Sequence, residues 1–327
     1  MKWIVTLLKV EEYDIWNRFV GEHPGGTIFH KTSWLSLINS QVEIFVIRMD
    51  HNILAGVALI KTSKNGVSGY HIPPYTQYFG PLYNNPDRKN SSLTEEHECI
   101  SLLLETIHAK HVDFRLARGH QSVLPYYWKG FETSVAITHT IAETKQEYLK
   151  CLNKNKIREL NKLLLMKESG ELIVDAAISE MELSHLLQQT SVRKGFNANT
   201  KLVLSFVTRS DASFAKKIVI RSRQHGLIAF GFFPFDQRGV YNIINASVRI
   251  SDPVLKTINL LLLYEAIEFA LDNGKIFDFE GSMLPGVEAF CRLMGGKPVP
   301  VYRVQKSSSL QYSLLRAAHQ IKNDWKT

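Results

Sequence analysis

The chain has 327 residues, of which 45% are apolar and 21% charged, and a formal net charge of +8 at pH 7. That length is large for one core and comfortable for two domains, and the balance excludes a disordered, fibrous or disulfide-stapled chain. The positive excess suits an anionic partner such as nucleic acid, a phosphorylated substrate or a membrane surface, although many basic proteins bind none of these. Cys99, Cys151 and Cys291 are widely spaced and form no CxxC, which reads as free thiols in a reducing compartment. The N-terminal run WIVTLL, between Lys2 and Lys9, is too short for a signal segment. The longest apolar run, INLLLLYEAIEFAL, is interrupted by Glu265 and Glu268 and cannot span a bilayer. The expectation is a cytoplasmic protein.

In chain order, Trp3 to Leu8 reads as a strand, Glu11 to Phe19 as a helix, and IFHKTSWLSLI as a helix capped by Thr32 or Ser33. Glu43–Met49 and Ile53–Lys61 form a hairpin about Asp50-His51-Asn52, and Val67–Ile72 continues the meander. QYFGPLY, residues 77–83, is a short strand or loop. Thr94–Lys110 is a helix, and Val112–Ala117 and Phe131–Ile141 are strands. Residues 143–169 read as one basic helix holding Lys145, Lys150, Lys154, Lys156, Arg158, Lys162 and Lys167, ended by Ser169-Gly170.

The second half repeats this order. Helix Ser179–Lys194 precedes strands near 218–222, 227–234 and 240–245. Helix Pro253–Leu271 follows, with Asp252 as N-cap and Asn273-Gly274 as stop. Ile276–Gly296 then supplies a strand and a helix, and Val299–Val304 a last strand. Each half is helix, antiparallel meander, long helix, strand. The expected class is therefore α+β, with domains at 1–142 and 170–327 joined by the basic helix 143–169. The tail 310–325 places Leu310, Leu314, Ala317, Ile321 and Trp325 on one helical face. That face either packs on its own domain or meets a membrane surface or an oligomer partner.

The most informative stretch is IFDFEGSMLPGVEAFCRLMGG. Phe277 and Phe279 alternate with Asp278 and Glu280, so at period two the rings face one side and the carboxylates the other. Val287, Phe290, Cys291 and Met294 share one face of the helix that follows. Two acids at a strand end are either a site or a solvated edge.

TIFHKTSWLSLI, PPYTQYFGPL, NKNKIRELNK and KIFDFEGSMLPGVEAFCRLMGG occur in an order that resembles the FemAB-like branch of the GNAT acyltransferase superfamily. The resemblance covers essentially the whole chain, and the last motif is the most specific. It implies two tandem GNAT-like domains, each a mixed, mostly antiparallel sheet flanked by helices. It also implies an N-acyltransferase that moves an aminoacyl or acyl group from aminoacyl-tRNA or a related activated donor to an amine of a cell-wall or envelope precursor. Peptidoglycan precursor and tRNA are then partners, with contact at the inner face of the membrane and no stable DNA binding. The alternatives are a catalytically degenerate GNAT-like binding module and a CoA-dependent N-acetyltransferase.

No tightly bound cofactor is expected; the donor is aminoacyl-tRNA or acyl-CoA. A standard GNAT cradles the CoA pyrophosphate with a glycine-rich turn at the N-terminus of its long helix. Here those turns read VRISDPVL and NSSLTEE, without glycine and with acids at the helix start. An anion is repelled at both, which favours the aminoacyl-tRNA-like donor.

Amine transfer needs proton removal and a place for the oxyanion. Glu280 or Asp278 can accept or orient the amine, and Ser282 with the turn amides can stabilise negative charge; an acid pair that merely caps the next helix is the alternative. Tyr241 and Asn245 share a facing parity on a neighbouring strand and either line the groove or form ordinary sheet surface. Arg193 and Lys194 can meet phosphate or carboxylate, as can Lys154 and Arg158, four apart on one helix face; a solvated basic face explains the same pattern. Tyr75 and Tyr78 are acceptor-pocket walls or core rings. His108 and His111 have no third ligand nearby, and no metal site is assigned.

Overall fold

The computed structural model describes residues 3–64, 66–84, 93–120, 122–194, 199–281 and 283–309. The chain folds into two compact units. One comprises residues 1–136 with the chain from 300 onward, the other residues 137–299. The divisions therefore fall inside two strands rather than at 142 and 170, and residues 300–307 of the last strand count with the first unit.

In the first unit β1 (Val5–Leu7), β2 (Glu43–Met49), β3 (Asn52–Leu59) and β6 (Leu82–Tyr83) form an antiparallel sheet in that order. The expected hairpin between β2 and β3 turns at Asp50, whose φ of 54° is the left-handed value such a turn demands. β4 (Thr62–Lys64) and β5 (Val67–Gly69) pair with each other in a separate two-stranded sheet instead of extending the meander. α1 (Tyr13–Glu22) buries Trp16, Phe19 and Val20, and the Trp16 indole donates to the His30 carbonyl at 2.8 Å. α2 (Thr32–Ile38) buries Trp34, Leu35 and Leu37. α3 (Leu93–Thr106) sets Cys99, Ile100, Leu103 and Leu104 into the core and ends four residues before the expected Lys110. β7 (His111–Arg115) follows and pairs antiparallel with residues 303–307 of β15 (Lys297–Ser307). α4 (Leu124–Trp128), a short helix the sequence did not announce, precedes β8 (Glu132–Ile141).

In the second unit the single basic helix is in fact two, α5 (Lys145–Cys151) and α6 (Lys154–Glu168). The break has a local cause. Asn153 is extended (φ −61°, ψ 137°) and its side chain accepts the Asn155 N–H at 3.0 Å, so it caps a new helix. β9 (Leu172–Asp175), β10 (Ala215–Ser222), β11 (Gly226–Pro234) and β13 (Ile244–Ser247) make a second antiparallel sheet, with β10 and β11 central. α7 (Glu180–Lys194) and α8 (Thr200–Arg209) lie between β9 and β10 in the chain; α8 had no clear sequence signal. β12 (Gly239–Tyr241) runs parallel to β14 (Ile276–Asp278), which is antiparallel to the end of β8.

α9 (Ile258–Asp272) is the spine of this unit. Ile258, Leu260 to Tyr264, Ala266, Ile267 and Ala270 are all buried, each large side chain contributing about 2 kcal/mol by leaving water. It starts five residues later than the expected Pro253, because a 3₁₀ turn over Leu255–Thr257 comes first. α10 (Pro285–Leu293) buries Cys291, and Met294 just beyond it is fully buried; Phe290 packs on the same core. Val287, expected on that face, is 43% exposed. The tail 310–325 lies outside the described residues. Among the described residues no helix is long and apolar enough to cross a membrane.

Candidate functional site

The run 239–247 begins against one strand and ends against another. Gly239 to Tyr241 pair with Ile276 to Asp278, and the Asn242 N–H donates to the Asp278 carbonyl at 2.9 Å. From Ile244 the same run pairs with β11 instead. β13 and β14 are therefore not neighbours in a sheet; the chain leaves one strand before it joins the other. A backbone that parts here lacks the sheet partners that a continuous strand would have.

Asn245 stands on the β13 side. Its amide nitrogen donates to Asn242 Oδ1 at 2.6 Å, and its own Oδ1 is buried with no hydrogen-bond partner among the described residues. A buried acceptor left this way costs roughly 1–3 kcal/mol unless something donates to it. On the β14 side the alternation predicted for the acids does not hold. The rings of Phe277 and Phe279 do enter the core, 5.0 Å apart and nearly perpendicular. Asp278, however, is fully buried rather than edge-exposed, and the strand ends there. Its Oδ1 accepts the Thr138 hydroxyl at 2.5 Å and the Glu280 N–H at 2.9 Å. A buried carboxylate needs such donors, and here they hold the turn.

Glu280 is half-buried and takes a left-handed φ of 63°, which a non-glycine residue adopts only when its surroundings impose it. Gly281 follows with φ 61°; a Cβ there would lie 2.1 Å from the Ile137 carbonyl oxygen, so only glycine fits. Ser282 lies outside the described residues. His139, on β8, escaped the sequence reading. Its ring is buried, and Nε2 lies 3.7 Å from Glu288 Oε1, the carboxylate that also takes Arg292 Nε at 3.1 Å. No local pattern ties His139 or Thr138 to a strand 140 residues further on; only the β8–β14 pairing does.

A cavity of about 820 Å³ adjoins the end of β13, lined by His185, Gln188, Gln189, Val192 and Arg193 of α7, by His225, and by Val248, Arg249 and Ile250. Arg193 reaches the Ser247 hydroxyl at 3.2 Å and the Val248 carbonyl at 3.4 Å. Thr190 ties the same helix to Ser247 through its hydroxyl. Two arginines and two histidines line this space, and among the described residues no carboxylate does. Arg193 was expected; Arg249, His185 and His225 were not, since they come from three separate segments. Lys194's side chain lies outside what is described.

Next in the chain, Asp252 accepts the Val254 N–H at 2.7 Å and the Leu255 N–H at 2.9 Å, and these bonds hold its carboxyl below the usual range. The amides that would receive a pyrophosphate are thus already taken by an anion, and the residues present do not fit a CoA pyrophosphate bound in the usual GNAT manner.

The remaining candidates scatter. Tyr241 is fully buried and donates to Asp236 Oδ2 at 2.9 Å, so it braces the 236–239 turn instead of lining a groove. Tyr78 is likewise fully buried, against Phe29 in the first unit. Tyr75 is half-buried with a left-handed φ of 59°. Lys154 and Arg158 are exposed on α6, as their spacing requires. His111 is buried and stacked on His71 at 4.3 Å, whereas His108 is exposed, so the two do not converge.

No protein-family model matches the chain, and no curated protein matches it in sequence. Solved structures do resemble it. FemX superposes with a TM-score of 0.65 at 12% identity, covering 96% of this chain and 99% of its own. A tandem GNAT protein from the clavulanic acid biosynthesis pathway gives 0.55 at 10% identity, covering 94% and 99%. L-PGS from Bacillus licheniformis gives 0.53 at 13%, covering 94% and 95%. The chain has the fold of these proteins, two GNAT-like domains in tandem.

Proposed function

We propose that the protein is an N-acyltransferase that moves an aminoacyl or acyl group onto an amine, with the place where β13 and β14 part as its reaction site. The observation that carries this reading is that parting, flanked by the orphaned Asn245 Oδ1 on β13 and by the strained Glu280 just past the end of β14. An amine or amide N–H is the donor that Asn245 lacks. In the reaction the amine nitrogen bonds to the donor's carbonyl carbon and passes its proton to the Glu280 carboxylate. The ester oxygen of the donor then leaves and takes that proton. Asp278 touches no substrate in this scheme; it fixes the turn that presents Glu280.

The basic cavity at Arg193 and Arg249 would hold a phosphate of the donor or acceptor. With the Val254 and Leu255 amides occupied by Asp252, aminoacyl-tRNA is favoured over acyl-CoA as donor. An amine on a cell-envelope precursor is the acceptor consistent with the resemblance to Fem-type proteins, and such a precursor brings the protein to the inner face of the membrane.

The test is incubation with charged tRNA or with acyl-CoA, each with an envelope-precursor amine, followed by mass spectrometry of the amine. A mass increment of one aminoacyl group with charged tRNA supports the proposal. An acyl increment from acyl-CoA overturns the donor assignment. No product with either donor overturns the activity and leaves a binding module.

A further inference from the structure

The first unit carries a second hollow whose chemistry is opposite to that of the basic cavity. It encloses about 580 Å³ along the exposed face of α3, where Thr94, Glu98, Ser101 and Glu105 recur at helical spacing. Trp3 and Trp128 wall it. Trp128 is 59% exposed, an unusual fate for an indole that has a fold to hide in. The ring is held rather than loose, because it meets His97 edge-on at 5.2 Å and 83°, and His97 Nε2 is in turn fixed 2.9 Å from Ser122 Oγ.

The charges are biased as well. The cation beside the hollow, Lys129, is turned onto Glu105 at 2.5 Å. Glu98 is exposed and has no ion pair among the described residues. In a chain of net charge +8, a hollow with a free carboxylate, a paired one and, among the described residues, no lysine or arginine in its lining repels anions. Indole faces attract cations through the ring quadrupole, and a carboxylate beside them adds a charge-assisted hydrogen-bond acceptor. Neither element alone would mark a ligand, but together in one concave space they match an ammonium group on a short apolar stem.

We infer that this hollow binds a primary ammonium group, with Trp128 and Trp3 against its stem and Glu98 accepting its N–H donors. The ammonium comes either from a free alkylamine or from a lysine side chain of a peptide, and the two differ in what flanks the stem. The site is independent of the proposed transferase reaction.

The test titrates the full chain with n-butylammonium, with acetyl-Gly-Lys-Gly-amide, and with n-butanol and butyrate as neutral and anionic matches, by calorimetry at constant ionic strength. Saturable binding of one or both amines, with butanol and butyrate at least tenfold weaker, is expected. The tighter of the two amines identifies the source. Trp128→Leu and Glu98→Gln should each weaken the amine at least tenfold. Glu98 is exposed, so Glu98→Gln should keep the fold and decides the matter if Trp128→Leu unfolds. Butanol binding as tightly as butylammonium, unchanged binding in Glu98→Gln, or no saturable binding of either amine overturns the assignment.

Discussion

β7 and β14 occupy the same place in the order of their units, each following the long helix, and each sets an Asp next to a Phe. In β7, Asp113 is nearly buried and receives a two-pronged ion pair from Arg303, at 2.8 and 2.5 Å. In β14, Asp278 is fully buried and receives a hydroxyl and one backbone N–H, with no cation in those bonds. Two residues on, the strands part further. Arg115 stays extended in the strand and donates to Gln77 at 2.6 Å, whereas Glu280 turns left-handed and follows the strand's end. The first unit neutralises its acid and continues; the second uses its acid to hold a strained turn that carries another carboxylate. Backbone strain costs stability, and it concentrates where chemistry is done. That contrast is the one expected if β14 carries the proposed reaction and β7 does not.

The turns give the largest test of that contrast. Gly281 and Gly119, each a few residues past its strand, both have positive φ, but a Cβ on Gly119 meets nothing within 4 Å. Gly281→Ala should therefore cost about 4 kcal/mol, from backbone strain plus the clash with the Ile137 carbonyl, and Gly119→Ala only about 1 kcal/mol. Urea unfolding followed by circular dichroism checks both. Equal costs would mean that the β14 turn is not specially constrained. The acids come next. Arg303→Ala leaves Asp113 buried and unpaired and should cost about 3 kcal/mol, while Thr138→Val removes one neutral donor from Asp278 and should cost about 1 kcal/mol. If the second loss matches the first, the distinction between the two aspartates fails.

The reaction itself separates the strands differently. Glu280→Gln keeps the backbone N–H on Asp278 and should leave the unfolding midpoint unchanged, yet lower turnover about a hundredfold, or some 2.7 kcal/mol in barrier. The measure is single-turnover product formation with whichever donor is accepted. Unchanged turnover would remove Glu280 from the chemistry and leave it a turn residue.

Much of this was legible before any coordinates. The capped long helix α9, the β2–β3 hairpin and the strand-turn-helix at 276–293 follow from periodicity, Pro, Gly and capping residues. So did the repeat of element order, which becomes the tandem GNAT-like fold. What was not legible is set by distance along the chain. Parity placed Asp278 and Glu280 on one face, but parity cannot know that β8 covers Asp278 with Thr138 or that the strand stops at Asp278. Tyr241 and Tyr78 looked like groove rings because their type fits a pocket as well as a core, and burial decided for the core. The basic cavity needed α7, the turn at His225 and the loop after β13 to meet, and of its residues only Arg193 could be named. A helix break at Asn153 was readable in principle, since Asn two residues before a basic run is a capping signal, but the charge pattern ran through it.

The smallest effect concerns pH and the first unit alone. Burial, with His23 nearby adding to it, pushes the His30 imidazole down to about 3, although the Thr27 N–H on Nδ1 is part of the same arrangement. His120 is pushed down to about 4, mainly by burial. The unfolded chain takes up these protons near pH 6.5 and the folded chain does not, so their contribution is complete above pH 6.5 and is lost as pH falls toward those lower values. At pH 5 His30 alone should cost about 2 kcal/mol relative to pH 8. Trp3, Trp16, Trp34 and Trp128 all precede residue 137 and none falls in 137–299, so tryptophan fluorescence during urea unfolding reports the first unit. The midpoint should drop between pH 8 and pH 5, and in His30→Gln that drop should shrink by about 2 kcal/mol. Should the variant keep the full pH dependence of the native chain, the buried imidazole is not its source. The contrast between the two units would then rest on the aspartates alone, Asp113 in its ion pair and Asp278 in its hydrogen bonds.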